Sequence, residues 1–462
     1  MDVEELAGRV RGAVLTDGTP GYDEARALWN ARMDRHPHAV VRCRDRDDVV
    51  ETVRWAAREG CPVYVKGGGH SYAGHTVGDD GVLLDLSGLS GIKVHVDQRR
   101  ATVQGGATWA ALDAATQHHG LATTGPTVSS VGVAGSVLGG ATGWLSRAFG
   151  HGVDNLLSVE VVTTNGEVVT ASPASEPDLF WGMRGGGATL GVVTSLDLAL
   201  HEVGPQVLAG QVIYPFDDAE RMLTQVADVM RTAPEELQCL PFTFRVPPVD
   251  AFPAEWHGRP VLDLVVFHTS PDAVDALAPL RELGTPMLDT VGPAPYTAVQ
   301  QAFDANLPGG QRYYSVAHDL PDLSEEAAST FARHVRTMEG AFTVAYLEPK
   351  GGAAGRVEPT STAMGGRDAA YGFHIIAGWS DPGEDGSVMG WARDFGRAMA
   401  EHATGGVYVN LIAEDEGHRI PDAFSDVDRL RDLKGTWDPD DLLRGNYDVA
   451  PRAGDLGGHA SS

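Results

Sequence analysis

Three short glycine runs constrain this chain more than any other feature. Of its 57 glycines, 25 fall between residues 61 and 200. The first run is Val65-Lys66-Gly67-Gly68-Gly69-His70-Ser71, at the end of a strand-like stretch. The second is Gly125-Pro126-Thr127-Val128-Ser129-Ser130-Val131-Gly132-Val133-Ala134-Gly135, which continues through Leu138-Gly139-Gly140. The third is Arg184-Gly185-Gly186-Gly187, leading into Gly191-Val192-Val193. Glycine lets backbone lie against backbone, or against a flat ligand, with no side chain between. Three glycines after a strand also leave consecutive N–H groups free to form an anion-binding concavity. A tight structural turn is the plainer alternative. The P-loop pattern and the G-x-G-x-x-G pattern at a helix start are both missing from the first run. A zinc reading of His70 and His75 fails too, because the spacing is not H-E-x-x-H and no third ligand is evident nearby.

Composition narrows the class. At roughly 150 residues per domain, 462 residues suggest two to four domains and a core large enough to need no staples. The net charge of −28 argues against nucleic acid or an anionic membrane as partner, since both require basic patches. No apolar run approaches the roughly 20 residues of a membrane span. Three cysteines, Cys43, Cys61 and Cys239, make neither a disulfide framework nor a four-cysteine zinc site. The start, MDVEELAGRVRGAVL, lacks a basic segment followed by an apolar one. We therefore expect no signal or transit peptide, and a cytoplasmic protein with reduced thiols.

Residues 1–40 read as a helical lead-in. Helices are expected over 46–59 and 110–119, PVYVKGGGHS is expected as a strand entering the first glycine loop, and further strands are expected at 82–87, 101–106 and 191–200. A hairpin over 158–172 is marked by Asn165-Gly166. The character changes near residue 205. Beyond it, expected helices (217–231, 272–283, 324–338, 388–403) alternate with strands VLAGQVIYP, VLDLVVFHT, FTVAYLEP, AAYGFHIIAGW and VYVNLIA. A last helix is expected over 426–434.

In this order and spacing, the motifs resemble the FAD-linked oxidases of the vanillyl-alcohol-oxidase/PCMH superfamily, in the berberine-bridge-enzyme-like branch. The resemblance runs from YDEARALWN (22–30) through KGGGHS, SSVGVAG, LGG, GWLSR, DNLLSVEVVTTNG and DLFWGMRGGG. It closes with YVNLIAEDEG (408–417) and WDPDDLLRGNYDVAP (437–451). It implies an α+β, two-domain PCMH-type FAD-binding fold. Residues 1–205 and the return over 421–455 would hold FAD. Residues 206–420 would form a substrate domain of antiparallel sheet covered by helices, and 456–462 a disordered tail.

The resemblance also assigns roles. His70 falls where relatives join a histidine to the flavin 8α-methyl, and a neutral imidazole, with an ordinary pKa of about 6.5, is a fit nucleophile. A second bond in many relatives comes from a cysteine at the position held here by Val128, so a single covalent bond is expected. Val131 takes the oxygen gatekeeper position, where a small residue goes with oxidase behaviour and hydrogen peroxide release. The implied FAD contacts are Lys66, Gly67, Gly68, Gly69, His70, Ser71, Gly74, His75, Thr127, Val131, Gly132, Gly135, Gly139, Gly140, Val193 and Asn446. For the catalytic base, Glu416 in the loop after Tyr-Val-Asn ranks first and Tyr408 next. Tyr346 and Glu348 are further candidates, with strand alternation read as letting only one of them face the flavin. Leu411 stands where many sugar-oxidising relatives have tyrosine. Phe242, Phe244, Tyr313 and Tyr314 read either as an aromatic substrate wall or as ordinary core. The expected function is oxidation of a small natural-product intermediate by FAD and molecular oxygen, by a monomer or homodimer. A carbohydrate oxidase and a flavin-binding protein without turnover are the alternatives.

Overall fold

Strand and helix periodicity sorts the chain into three main sheets and a two-stranded ribbon. The computed structural model describes residues 2–450 apart from 251, 446 and 448. The first sheet has the strand order Ala13–Leu15, Ala39–Arg42, Val82–Asp85, Val63–Lys66, and its last three strands run parallel. The helix Arg46–Glu59 packs on it through Val49, Val53 and Ala56. Asp45 caps that helix by accepting from the Asp48 N–H, and left-handed Gly60 ends it. The second sheet is antiparallel, in the order Ile92–His95, Arg100–Gln104, Val192–Ala199, Leu156–Val162, Val168–Ala171. Its last two strands form the Asn165-Gly166 hairpin, with Gly166 at φ +78°.

The third sheet has eight strands, all from residues 206–379 and all antiparallel. Its central order is Gln206–Pro215, Pro260–His268, Leu237–Arg245, Val344–Pro349, Tyr371–Trp379, Arg312–Leu320. Side chains alternate across such a sheet. Phe373, Ile375 and Ala377 therefore pack under the helices Ala219–Thr232, Glu325–Val335 and Asp385–Ala400. Their neighbours Gly372, His374 and Ile376 are left on the opposite face, toward the glycine loops. After the helix Val427–Trp437 the chain returns to the first sheet, where Val63 exchanges backbone bonds with Leu442 and Arg444. Among the described residues no helix is long and apolar enough to cross a membrane.

Several expectations need correction. The lead-in over 1–40 holds the helices Val3–Arg9 and Tyr22–Arg26 but also two strands, Ala13–Leu15 and Ala39–Arg42. The stretch 272–283 is two short turns of helix, Val274–Leu277 and Ala278–Arg281, because Pro279 has no N–H to continue a helix. VYVNLIA is not a strand. It bonds to the sheet only at its approach, where Asp319 N–H reaches Gly406 O, then coils into a 3₁₀ turn at Val409–Leu411. Two further strands, Leu237–Arg245 and Arg312–Leu320, lie where none is expected. The tail over 456–462 lies outside the described residues.

Candidate active site

Where the glycine loops of the first half meet the bare face of the large sheet, a cavity opens. Its empty volume is about 1640 Å³, the open mouth included. Gly67, Gly68, Gly69, His70 and Ser71 line it. Among the described residues, none of their five N–H groups donates to a backbone acceptor. Gly68 crosses Gly132 backbone on backbone, and a Cβ on Gly68 would lie 2.3 Å from the Gly132 nitrogen. Gly135 also lines the cavity, and a Cβ there would meet no protein atom within 4 Å. A run of unengaged donors beside bare backbone is the cradle that a dinucleotide diphosphate requires, so the residues present fit FAD.

His75, Thr127, Val131, Gly132 and Val193 join this lining. Lys66 does not. Its ammonium points away, donating to Ala25 O and lying 3.6 Å from Asp85. It thus supports the loop from behind instead of facing a phosphate. Gly74 is also set back, at φ +69° against Met33. Gly139 packs on Asn410 and Tyr447, and Gly140 on Tyr408, so both serve the cavity through those side chains. Asn446 lies outside the described residues.

His70 is held by stacking on Trp29, with centroids 4.9 Å apart, and Trp29 stacks in turn on Tyr313 at 4.0 Å. Burial lowers the imidazole to about 4, so it is neutral at physiological pH. Val128 lines the cavity, while Cys43, Cys61 and Cys239 are buried elsewhere.

The opposite wall is the strand Val344–Pro349. Tyr346 and Glu348 both line the cavity. The expectation that only one could do so is corrected, since residues two apart on a strand share a face. Tyr346 stacks on Phe242 at 4.4 Å. Glu348 accepts a hydrogen bond from Thr142 Oγ1 at 3.2 Å and lies 3.3 Å from His374 Nε2. Burial alone would push its carboxyl up. The imidazole of His374, with His151 and Lys350 beyond, outweighs that and holds it below the usual carboxylate range. Tyr346 is driven far above the ordinary phenol value by burial and by Glu348. Tyr408 also lines the cavity and accepts from Asn410 Nδ2 at 2.9 Å, while Tyr447 donates to Asn410 Oδ1. Burial pushes Tyr408 up to about 12.

Glu416 stands apart from this wall. Its carboxylate pairs with Arg419 at 3.3 Å, and Arg419 in turn contacts His318. Tyr314 points to the helical side, donating to Asp415, and Phe244 packs in a separate cluster. Leu411 does line the cavity. Sequence reasoning missed Trp29, Tyr72, Thr142, Asn410 and His374. The only available signal was the strand phase, which puts His374 and Ile376 on the face of Tyr346 and Glu348 once the register is known.

A glycine-cradled cavity facing one ionised carboxylate on an antiparallel wall defines a flavin-dependent oxidoreductase. Residues 37–172 match a family model described as an FAD binding domain. The chain is 28% identical to the FAD-linked oxidoreductase YgaK of Bacillus subtilis, over 98% of each. It is 27% identical to (R)-6-hydroxynicotine oxidase of Paenarthrobacter nicotinovorans, over 96% of this chain and 97% of the other. A BBE-like protein of Physcomitrella patens shares the fold, with a TM-score of 0.87 at 22% identity over 99% of this chain and 100% of that one. The matched domain and these relatives make the chain an FAD-dependent oxidoreductase, and it has the fold of the berberine-bridge-enzyme-like proteins.

Proposed function

We propose that this chain is an oxidase whose FAD is attached through His70 alone, and that it oxidises a small organic molecule of natural-product type. The observation that carries the reading is the shared cavity: a neutral, stacked His70 on one side and an ionised Glu348 on the other. Bound FAD would supply the two-electron acceptor, taking hydride from a substrate carbon and passing the electrons to molecular oxygen with release of hydrogen peroxide. The protein's part is to orient the substrate and take its proton. Glu348 is the group suited to that, because the phenols of Tyr346 and Tyr408 stay protonated near neutral pH. Trp29, Tyr72, Leu240, Leu307 and Ile376 supply an apolar, aromatic remainder. With Val128 in place of a thiol, a second tether has no donor. Val131 lines the cavity beside the cradle, where the resemblance puts the oxygen gatekeeper. Three unpaired, buried thiols suit the reducing cytoplasm.

Among the described lining residues there is one carboxylate and no lysine or arginine. This favours neutral or cationic substrates over anions, and the nicotine-oxidising relative supports an amine. A sugar oxidase is the second reading, disfavoured by the apolar Leu411 at the wall. The test has two arms. Acid precipitation of the holoprotein should leave a yellow pellet, and His70→Ala a colourless one. A peroxide assay over cyclic amines, benzylic alcohols and aldoses should then show turnover. A colourless wild-type pellet overturns the tether, and turnover of aldoses alone overturns the substrate class.

A further inference from the structure

We propose that His374 is a positioning residue for Glu348, and that the two form a proton relay from the main cavity into a second chamber behind the wall. The inference rests on the reading of the main cavity as an oxidation site. Glu348, Thr142, Tyr408 and Val409 line both spaces, whereas His374, Asp319 and Lys350 line the second. His374 is 1% exposed, and neither ring nitrogen has a hydrogen-bond partner among the described residues. Its Nε2 stands 3.3 Å from Glu348 Oε2. An imidazole left in this way, beside a carboxylate and a small chamber reached by Asp319 and Lys350, is costly to bury unless water or a proton completes it.

The register explains how it arrives there. Glu348 pairs with position 372 on the neighbouring strand, and that residue is glycine. A Cβ at 372 would lie 2.4 Å from His374 Nε2. The absence of a side chain lets the imidazole lean over position 372 toward the carboxylate. The groups facing the pair are Tyr346 and Lys350 from its own strand, Asp319 from the strand Arg312–Leu320, Tyr408 from the 3₁₀ turn, and His151. Lys350 is paired with Asp319, and Arg367 with Asp154.

The step moves one proton. The substrate O–H or N–H bond breaks as an O–H bond forms at Glu348. His374 Nε2 then takes that proton, which restores the carboxylate and leaves an imidazolium beside it. The imidazolium loses a proton from Nδ1 to water in the second chamber, next to Asp319. Electron pairs stay on the atoms they started from, and no oxidant is needed for this part.

The first test needs no substrate. Holoprotein labelled with ¹⁵N-histidine is examined by NMR at one pH, with His374→Gln identifying the ring signals. Glu348→Gln should move those signals, because the carboxylate 3.3 Å from Nε2 is gone. Signals that stay in place overturn the pairing. The second test follows anaerobic flavin bleaching against pH, with any compound active in the peroxide assay. His374→Gln should move the acid limb to higher pH, recovering rate as pH rises, with KM unchanged. Gly372→Ala, which displaces the imidazole without removing it, should move the limb the same way. A limb that stays in place in both variants overturns the relay. If no compound bleaches the flavin, the oxidation reading falls with the relay built on it, while the NMR comparison still decides the pairing.

Discussion

Glu348 illustrates how one carboxylate stays ionised inside an apolar wall. Desolvation opposes its charge, and three basic groups behind it reverse that balance. The same burial works the other way on its neighbours, keeping the Tyr346 phenol protonated. Among the described lining residues Glu348 is thus the one carboxylate, placed to take a proton near neutral pH. Glu348→Gln keeps the shape and the contact with Thr142 but removes the proposed base. We expect flavin reduction to slow by roughly 10²–10⁴-fold, the usual worth of a positioned general base, with substrate binding little changed. Stopped-flow reduction checks this, and a loss under tenfold would return the role to Tyr408.

At the scale of elements, the site is a crossing of two glycine loops beneath a sheet. Gly68 and Gly132 touch through backbone, so Gly132→Ala drives a Cβ to 2.5 Å from the Gly68 nitrogen. Overpacking of that kind costs about 1–3 kcal/mol, and both thermal stability and flavin content should fall. Gly135→Ala is the contrast. Its Cβ meets no protein atom, so the apoprotein should melt as wild type does while flavin content drops. Equal melting losses in the two variants would mean that the glycines serve packing alone. This difference also shows what a sequence can reveal. The cradle was legible because its chemistry sits in contiguous backbone. The opposite wall was not, because Trp29, Thr142, Glu348 and His374 are far apart in the chain and meet only through register. Local charge misled in the other direction. Glu416 sits in an acidic run next to a motif, yet Arg419, three residues on, holds it away from the cavity.

For the whole molecule, the charge of −28 and two buried acids act together on stability. Asp113, on the helix Trp109–Gln117, accepts from Gln300 Nε2 at 3.0 Å, and Gln300 ends the helix Tyr296–Gln300 that packs against it. Asp113 Oδ1 and Gln300 Oε1 have no partner among the described residues. A proton on Asp113 supplies a donor where the pair otherwise offers two acceptors. Burial raises this carboxyl to about 7, and Asp263 likewise to about 7, against about 3.9 in an unfolded chain. Between those values the folded state binds protons that the unfolded state does not. Stability from these groups is therefore full below pH 4 and lost as pH rises through 7. Easing of surface repulsion on acidification has the same sign, so the wild-type slope alone cannot separate the two causes. Asp113→Asn can, because it fixes one site in the neutral, donating form and leaves the surface nearly unchanged. Calorimetry of the holoprotein should find this variant more stable than wild type at pH 8, by on the order of several degrees in Tm, with the gap narrowing as pH falls through 7 and closing toward pH 4. Parallel Tm curves for the two proteins would assign the slope to surface charge.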